Sequence, residues 1–111
     1  MTILALEAST SSAKALLYDA KKECIISLAS RTYPDAICDI TTMNLASVFD
    51  EIMRLGRNLL RGRQDIELVV LSSIWYHSAA LFDRDIQPIG RLRTWADASC
   101  TETVERFRQI A

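Results

Sequence analysis

The stretch Ile3-Leu4-Ala5-Leu6-Glu7-Ala8-Ser9-Thr10-Ser11-Ser12-Ala13-Lys14-Ala15-Leu16-Leu17-Tyr18-Asp19 decides the reading of the fold. Ile3 to Glu7 is a short apolar run of strand formers, Ala13 to Tyr18 repeats that character, and the polar residues Ser9 to Ser12 separate the two. The pattern predicts two strands joined by a hydroxyl-rich turn. Asp19 to Lys22 makes a further polar break. Beyond it Cys24, Ile26, Leu28 and Ser30 alternate as in a third strand, which runs to Tyr33 and is ended by Pro34.

Downstream of this meander the periodicity changes. Leu45, Val48, Phe49, Ile52, Met53, Leu55, Leu59 and Leu60 recur at three- and four-residue spacings and predict one face of a helix of four or five turns. Thr41 or Thr42 is the expected N-terminal cap and Gly62 the left-handed terminator. Ile66 to Leu71, with two adjacent valines, reads as a strand covered on both faces and central in a parallel or mixed sheet. Ala79 to Phe82 predicts another strand, Asp83 to Asp85 a turn, and Ile86 to Leu92 a further extended piece. Ser99 with Glu102 has the form of a capping box opening a last helix through Val104, Phe107 and Ile110. The order predicts one α/β layer with helices packed on a mixed sheet. The last helix has apolar positions to bury and no later segment to pack against, which is the expectation for a piece of a longer protein.

Half of the 111 residues are hydrophobic and the formal net charge is −1. That composition fits one globular domain and leaves little room for two lobes with a cleft between them. There is no run of basic residues to attract a nucleic acid or an anionic membrane. Arg54, Arg57, Arg61 and Arg63 cluster where they complement the partial negative charge of a helix end. Cys24, Cys38 and Cys100 are odd in number, lack metal-like spacing, and read as buried or half-buried thiols. With no signal-peptide pattern at the N-terminus, they predict a cytoplasmic protein.

Three segments suggest chemistry. In the first turn a carboxylate on Glu7, hydroxyls on Thr10, Ser11 and Ser12, exposed backbone amides and the ammonium of Lys14 would suit a metal-bound phosphate tail; a serine-rich hairpin with a solvated lysine is the plainer alternative. Trp75, Tyr76, His77 and Ser78 follow directly on the apolar strand, where sheet ends present ligand-binding side chains. Aromatic faces suit a sugar ring and an imidazole can bond two hydroxyls, although a lone histidine also serves as an ordinary surface residue. Thr94-Trp95-Ala96-Asp97 forms the turn before the last helix, where Trp95 could belong to the core and Asp97 merely precede the capping Ser99.

In this order the three segments resemble the start of the FGGY family of carbohydrate kinases. That family opens with Asp-x-Gly-Thr-(Thr/Ser)-x-x-(Lys/Arg) between two strands, matched here by Glu7 to Lys14, and continues to an aromatic and Asp, here Tyr18 and Asp19. Its xylulose and gluconate kinase branches then show Gln-Met-His-Gly, Leu-Asp and Trp-x-Asp, matched by Trp75-Tyr76-His77-Ser78, by Leu81-Phe82-Asp83 and by Trp95-Ala96-Asp97. Glu7 stands where the family has Asp, and Ser9 where it has Gly.

The resemblance implies a ribonuclease H-like, actin-like ATPase fold, with residues 1–111 forming a truncated, incomplete single lobe on the N-terminal, sugar-binding side. It implies ATP and Mg2+ as cofactors. Glu7, Thr10, Ser11, Ser12 and Lys14 would then face the phosphates, and Glu7 would act indirectly on the metal. Tyr76, His77, Trp95 and Asp97 would face a sugar or sugar acid, and the catalytic Asp would lie beyond Ala111. Such a piece is expected to be inactive alone and to self-associate through surface left bare. A stand-alone, non-catalytic module that binds a sugar or a partner protein is the alternative.

Overall fold

The computed structural model describes residues 1–73 and 77–111. The amino-terminal meander forms as the alternation dictates: β1 is Thr2–Ala8, β2 Ser12–Asp19 and β3 Cys24–Thr32. β4 is the short Thr42–Met43, α1 spans Leu45–Leu59, β5 Ile66–Ser73, β6 Ala79–Phe82, β7 Pro88–Arg93 and α2 Thr101–Ile110. The strands make two sheets, not one. A four-stranded sheet has the order β3-β2-β1-β5 and a three-stranded sheet the order β4-β7-β6. β1 is antiparallel to β2 and parallel to β5, so the larger sheet is mixed.

The core lies between one face of the larger sheet and α1. Side chains alternate along a strand, and the buried set Leu4, Leu6, Ala8 on β1 with Ala13, Ala15, Leu17 on β2 occupies a single face. Val48, Ile52 and Leu55 of α1 close over it. Gly56 explains how closely the helix can lie: a Cβ there would meet Leu6 Cδ2 at 3.1 Å and Leu4 Cδ2 at 3.7 Å, so a side chain would hold α1 off the sheet. Fully burying a leucine such as Leu17 contributes about 1.5–3 kcal/mol, which makes this small two-layer core the main source of stability.

Several sequence expectations are corrected. α1 is capped by Asn44, whose side chain accepts from the Ser47 amide at 3.1 Å, and not by Thr41 or Thr42, whose hydroxyls both go to Asp39. Gly62 does take the left-handed conformation, at φ 74°. The expected capping box does not form: the Ser99 hydroxyl donates to Asp97, α2 starts after Cys100 without a side-chain cap, and Glu102 pairs with Arg106.

β5 is not central. It ends the sheet order, and Val69 and Leu71 remain 57% and 70% exposed. Its apolar composition signals a strand built to be covered, but no described element covers it. Cys24 and Cys100 are exposed rather than buried; only Cys38 is half-buried.

α2 buries none of its residues, so Val104, Phe107 and Ile110 form an apolar stripe without a partner among the described residues. No helix is long and apolar enough to cross a membrane.

Candidate functional site at one end of the sheet

The parallel pairing of β1 with β5 sets the geometry. Ala8, the last residue of β1, lies opposite Ser73, the last residue of β5. The Ser9–Ser11 turn and the segment that leaves β5 therefore emerge at the same end of the sheet, as ligand-binding loops do at the carboxyl ends of parallel strands. Trp75 and Tyr76 lie outside the described residues. His77 follows them, exposed and with φ 54°, and leads into β6.

The second sheet returns the chain to that region. Ala79 at the start of β6 pairs with Arg93 at the end of β7, so Thr94 to Asp97 leave the sheet beside the point where His77 and Ser78 enter it. Trp95 is 65% exposed and is not a core residue.

A hydrogen-bonded loop ties this turn to the first. Cys38 Sγ donates to the Thr10 carbonyl at 2.8 Å. A few residues on, the Thr94 amide donates to the Thr41 carbonyl at 2.9 Å and its hydroxyl to the Ile40 carbonyl at 2.6 Å. The Ser9–Ser12 and Trp95 turns thus hang on one segment, residues 38–42. Asp39 organises that segment by accepting from the amides of Thr41 and Thr42 and from the Thr41 hydroxyl at 2.7–2.8 Å. These bonds, the Thr41 hydroxyl foremost, hold the Asp39 carboxyl down to about 2.

Arg91 straps the same segment from below, with Nε on Thr42 Oγ1 at 2.8 Å and its terminal nitrogens on the carbonyls of Ala36 and Ile37 at 3.1 Å. Neither Asp39 nor Arg91 was singled out in the sequence. For Asp39 a signal exists, an Asp two and three residues before paired threonines, the pattern of an Asx turn. Arg91 offers none, because its partners lie some fifty positions away.

The first turn is built on serine hydroxyls. Ser9 Oγ accepts from the Ser12 amide at 3.2 Å, with the Ser11 amide at 3.5 Å, and its hydroxyl donates to the Ser12 carbonyl at 3.1 Å. The Ser9 amide closes the turn on the Ser12 carbonyl at 3.0 Å. Two backbone donors thus converge on one oxygen, the arrangement that would receive a phosphate oxygen, and the Ser9 side chain supplies that oxygen itself. Glu7 and Lys14 are register partners across β1 and β2, and their charged groups meet at 3.4 Å with nearly half of each side chain exposed. Both project from the face opposite α1. An exposed pair of this kind is worth at most about 1 kcal/mol and opens at little cost.

Among the described residues no cluster of three or more acidic, His or Cys side chains could enclose a metal ion. The single carboxylate of Glu7 fits a magnesium ion that keeps its waters and is held mainly by phosphate oxygens, not a protein-built cage.

Asp97 faces a different neighbour set. It accepts from the Ser99 amide at 3.0 Å and the Ser99 hydroxyl at 2.9 Å, with Arg93 at 3.5 Å, and these hold its carboxyl below the usual range. It shapes the turn that carries Trp95.

An open apolar groove of about 630 Å3 runs between α1, the end of β5 and the β6–β7 hairpin, lined by Leu45, Phe49, Leu71, Phe82 and Pro88 among others. None of the described sequence-predicted site residues lines it, and it lies on the α1 side of the sheet.

The fold is shared with part of several solved carbohydrate kinases. The chain is similar to a xylulose kinase from Rhodospirillum rubrum, with a TM-score of 0.79 and 16% identity over 100% of this chain and 24% of that one. A gluconate kinase from Lactobacillus acidophilus is similar with a TM-score of 0.77 and 20% identity, over 97% of this chain and 22% of that one. A glycerol kinase from Plasmodium falciparum, solved with ADP, gives a TM-score of 0.71 and 18% identity over 96% of this chain and 22% of that one. Identities this low show a common fold. They agree with the resemblance to FGGY kinases carried by the three motifs, and the chain spans less than a quarter of the length of each of these enzymes. Neither a protein-family model nor a curated protein sequence matches it.

Proposed function

We propose that the chain is the N-terminal, ribonuclease H-like part of an FGGY carbohydrate kinase. In this reading the parent protein transfers the terminal phosphoryl group of ATP, with Mg2+, to a hydroxyl of a sugar or sugar acid of the xylulose or gluconate kind. The observation that carries the proposal is the pairing of β1 with β5. Two segments matched by motif to phosphate and sugar contacts leave parallel strands at one end of the sheet, within a fold shared by sugar kinases along the whole chain.

Each residue then has a role. Thr10, Ser11, Ser12 and Lys14 face the nucleotide phosphates, Glu7 acts indirectly on the metal, and Tyr76, His77 and Trp95 hold the acceptor with Asp97 shaping the last turn. The catalytic Asp comes from chain beyond Ala111. Phosphoryl transfer depends on in-line placement of the acceptor and neutralisation of charge on the moving group. Half of a cleft provides neither, so the isolated chain is inactive and self-associates through the apolar surface it leaves bare.

A second reading, a stand-alone sugar-binding or interaction module without catalysis, is favoured by the Ser9 hydroxyl, which occupies the donors that a nucleotide phosphate would need. Titration of tryptophan fluorescence with gluconate, xylulose and glycerol tests what the two readings share, because Trp75 and Trp95 both fall in the proposed acceptor region. A saturable change with one polyol, lost in Trp95→Phe and His77→Ala, is expected. No response to any of the three would remove the acceptor site. Binding of the polyol together with ATP favours the kinase part, and binding of the polyol alone favours the module.

A further inference from the structure

We infer that Arg91 is a positioning residue for both candidate loops. Through a hairpin of residues 37–44 it fixes the Trp95 turn and the Ser9–Ser12 turn in one mutual geometry, so that ligands in the two turns bind cooperatively. The cooperative step deepens the function proposed above and rests on it; the positioning does not.

The hairpin is defined by its own bonds. Cys38 and Met43 form an antiparallel bridge, the Asn44 amide donates to the Ile37 carbonyl at 2.7 Å, and Asp39 closes the tip by accepting from the Thr41 and Thr42 amides. Each side of it holds a different loop. On one side Cys38 Sγ donates to the Thr10 carbonyl at 2.8 Å, and just ahead of the hairpin the Tyr33 amide donates to the Ser11 carbonyl at 2.9 Å. The Thr10 carbonyl and the Ser11 amide belong to one planar peptide group, so the Cys38 bond sets where that amide aims.

On the other side the buried Thr94 gives its amide to the Thr41 carbonyl and its hydroxyl to the Ile40 carbonyl. Thr94 is also where the Trp95 turn closes: its hydroxyl accepts from the Ala96 amide at 3.3 Å and its carbonyl from the Asp97 amide at 3.1 Å. The link from Thr10 to Thr94 therefore runs through residues 38–41.

An isolated two-stranded hairpin is at best marginally stable. Arg91 supplies the missing constraint. From β7 its guanidinium reaches both sides of the hairpin, with its terminal nitrogens on the Ala36 and Ile37 carbonyls at 3.1 Å and Nε on Thr42 Oγ1 at 2.8 Å. It forms no ion pair with a carboxylate among the described residues, so the strength of its charged donors goes into the hairpin. A planar fork spans acceptors that a lysine ammonium, a point donor on a flexible stem, cannot hold together. The base is firm as well, because Leu92, next in β7, is buried and pairs with the buried Met43.

A ligand that draws in the Trp95 turn acts on Thr94 and, through the hairpin, on the Thr10 peptide. A hairpin held on both sides transmits that displacement; one loosened at Arg91 absorbs it. The coupling is reciprocal, each ligand raising the affinity of the other by the same factor.

Alkylation of Cys38 by iodoacetamide reads the hairpin without any ligand, in the full chain carrying Cys24→Ser and Cys100→Ser to remove the two exposed thiols. Arg91→Lys keeps the charge and loses the fork, and Thr94→Val removes the bond to Ile40 with little change of shape. Each should speed labelling by at least about fivefold, the worth of one ordinary hydrogen bond. Ile52→Val, of similar cost to stability but on the core face of α1, should leave the rate unchanged. For the ligands, isothermal titration with gluconate, xylulose or glycerol present should show tripolyphosphate binding tightened by at least about fivefold by the polyol that binds, and by less than about twofold in Arg91→Lys.

Labelling that stays unchanged in Arg91→Lys or Thr94→Val, or that Ile52→Val speeds equally, overturns the inference. Polyol and tripolyphosphate that both bind the parent, but independently, overturn its cooperative step. A parent that binds neither removes the proposed function instead, and the labelling still decides the role of Arg91. If Arg91→Lys does not fold, Thr42→Val, which removes the acceptor of Nε, takes its place.

Discussion

Ser9 is the residue whose replacement tests the phosphate turn most directly. Its Oγ receives the Ser12 amide at 3.2 Å and the Ser11 amide marginally at 3.5 Å, and it lies 3.1 Å from the Ser12 carbonyl. Removing it with Ser9→Gly forfeits the hydrogen bonds it accepts from the Ser12 amide and donates to the Ser12 carbonyl, and the weak one from the Ser11 amide, a net loss of about 1–2 kcal/mol. The added backbone freedom of glycine costs up to about 1 kcal/mol more. At about 5 °C per kcal/mol for a domain of this size, the melting temperature should fall by about 5–15 °C.

The same change releases two amides aimed at one point. A single charge-assisted hydrogen bond from an amide to a phosphate oxygen is worth at least about 1.4 kcal/mol, which is a factor of ten in affinity. Tripolyphosphate and ATP should therefore bind Ser9→Gly about ten times more tightly than the parent, as measured by isothermal titration. Ser9→Ala separates the contributions, because it removes the hydroxyl and keeps the Cβ. If the hydroxyl is the competitor, Ala recovers most of the gain; if the close approach of a phosphate needs the Cβ removed, only Gly does. Dissociation constants for both variants within twofold of the parent, in proteins shown to be folded, would refute the reasoning and remove the turn as a phosphate site.

Two further predictions concern the framework of the site. Tyr33 is 5% exposed and its buried hydroxyl has no hydrogen-bond partner among the described residues, so Tyr33→Phe should stabilise the chain by about 1 kcal/mol in urea unfolding; a loss of that size would mean the hydroxyl is satisfied in solution. Burial, ahead of the nearby Cys38, Glu51 and Glu7, pushes this phenol up to about 12, so the folded state resists an ionisation that the unfolded chain undergoes near 10. Stability should fall as pH rises from about 10 to 12, and less so in Tyr33→Phe. At the other extreme, Asp39 is held down to about 2 from the ordinary 3.8 by Thr41 and Thr42. A depressed carboxyl stabilises fully above its unfolded value, and that contribution disappears as pH falls through the folded one. Thermal melts should therefore drop between pH 4 and pH 2, with a shallower slope in Asp39→Asn; parallel slopes would show that the Asx turn contributes nothing to acid sensitivity.

The local chemistry of the sequence carried the reading as far as local chemistry decides structure. The apolar runs Ile3 to Glu7 and Ala13 to Tyr18 with a polar turn between them fix a hairpin, and the Leu45–Leu59 spacing fixes α1, because both signals concern contacts that the chain makes with itself. Leu68-Val69-Val70-Leu71 misled for the opposite reason: hydrophobicity reports that a strand is suited to burial, and says nothing about whether the partner lies on the same chain. The helix caps failed through competition, since Thr41 and Thr42 bond Asp39 instead of the α1 amides, leaving Asn44 to accept from Ser47. In the candidate site the turn of Ser9 to Ser12 was legible, whereas the exposure of Trp95 was not, since an aromatic ahead of a helix reads as readily as core. The link between them through Cys38, Ile40 and Thr41 was not, because a hydrogen bond to a distant carbonyl leaves no trace in composition or period.

The two surfaces that define this molecule are separated by the pleat of its strands. Leu4, Leu6 and Ala8 face α1, and across the β1–β5 ladder Val69 and Leu71 share their side, which carries the groove and the core. Glu7 and Lys14 alternate to the opposite side. The apolar surface of Val69 and Leu71 and the charge on Glu7 and Lys14 therefore occupy opposite faces of one sheet, and a substitution on one face has no direct contact through which to alter the other. They meet only at the carboxyl end of the sheet, where Ala8 and Ser73 border the groove and also lead into the two candidate loops.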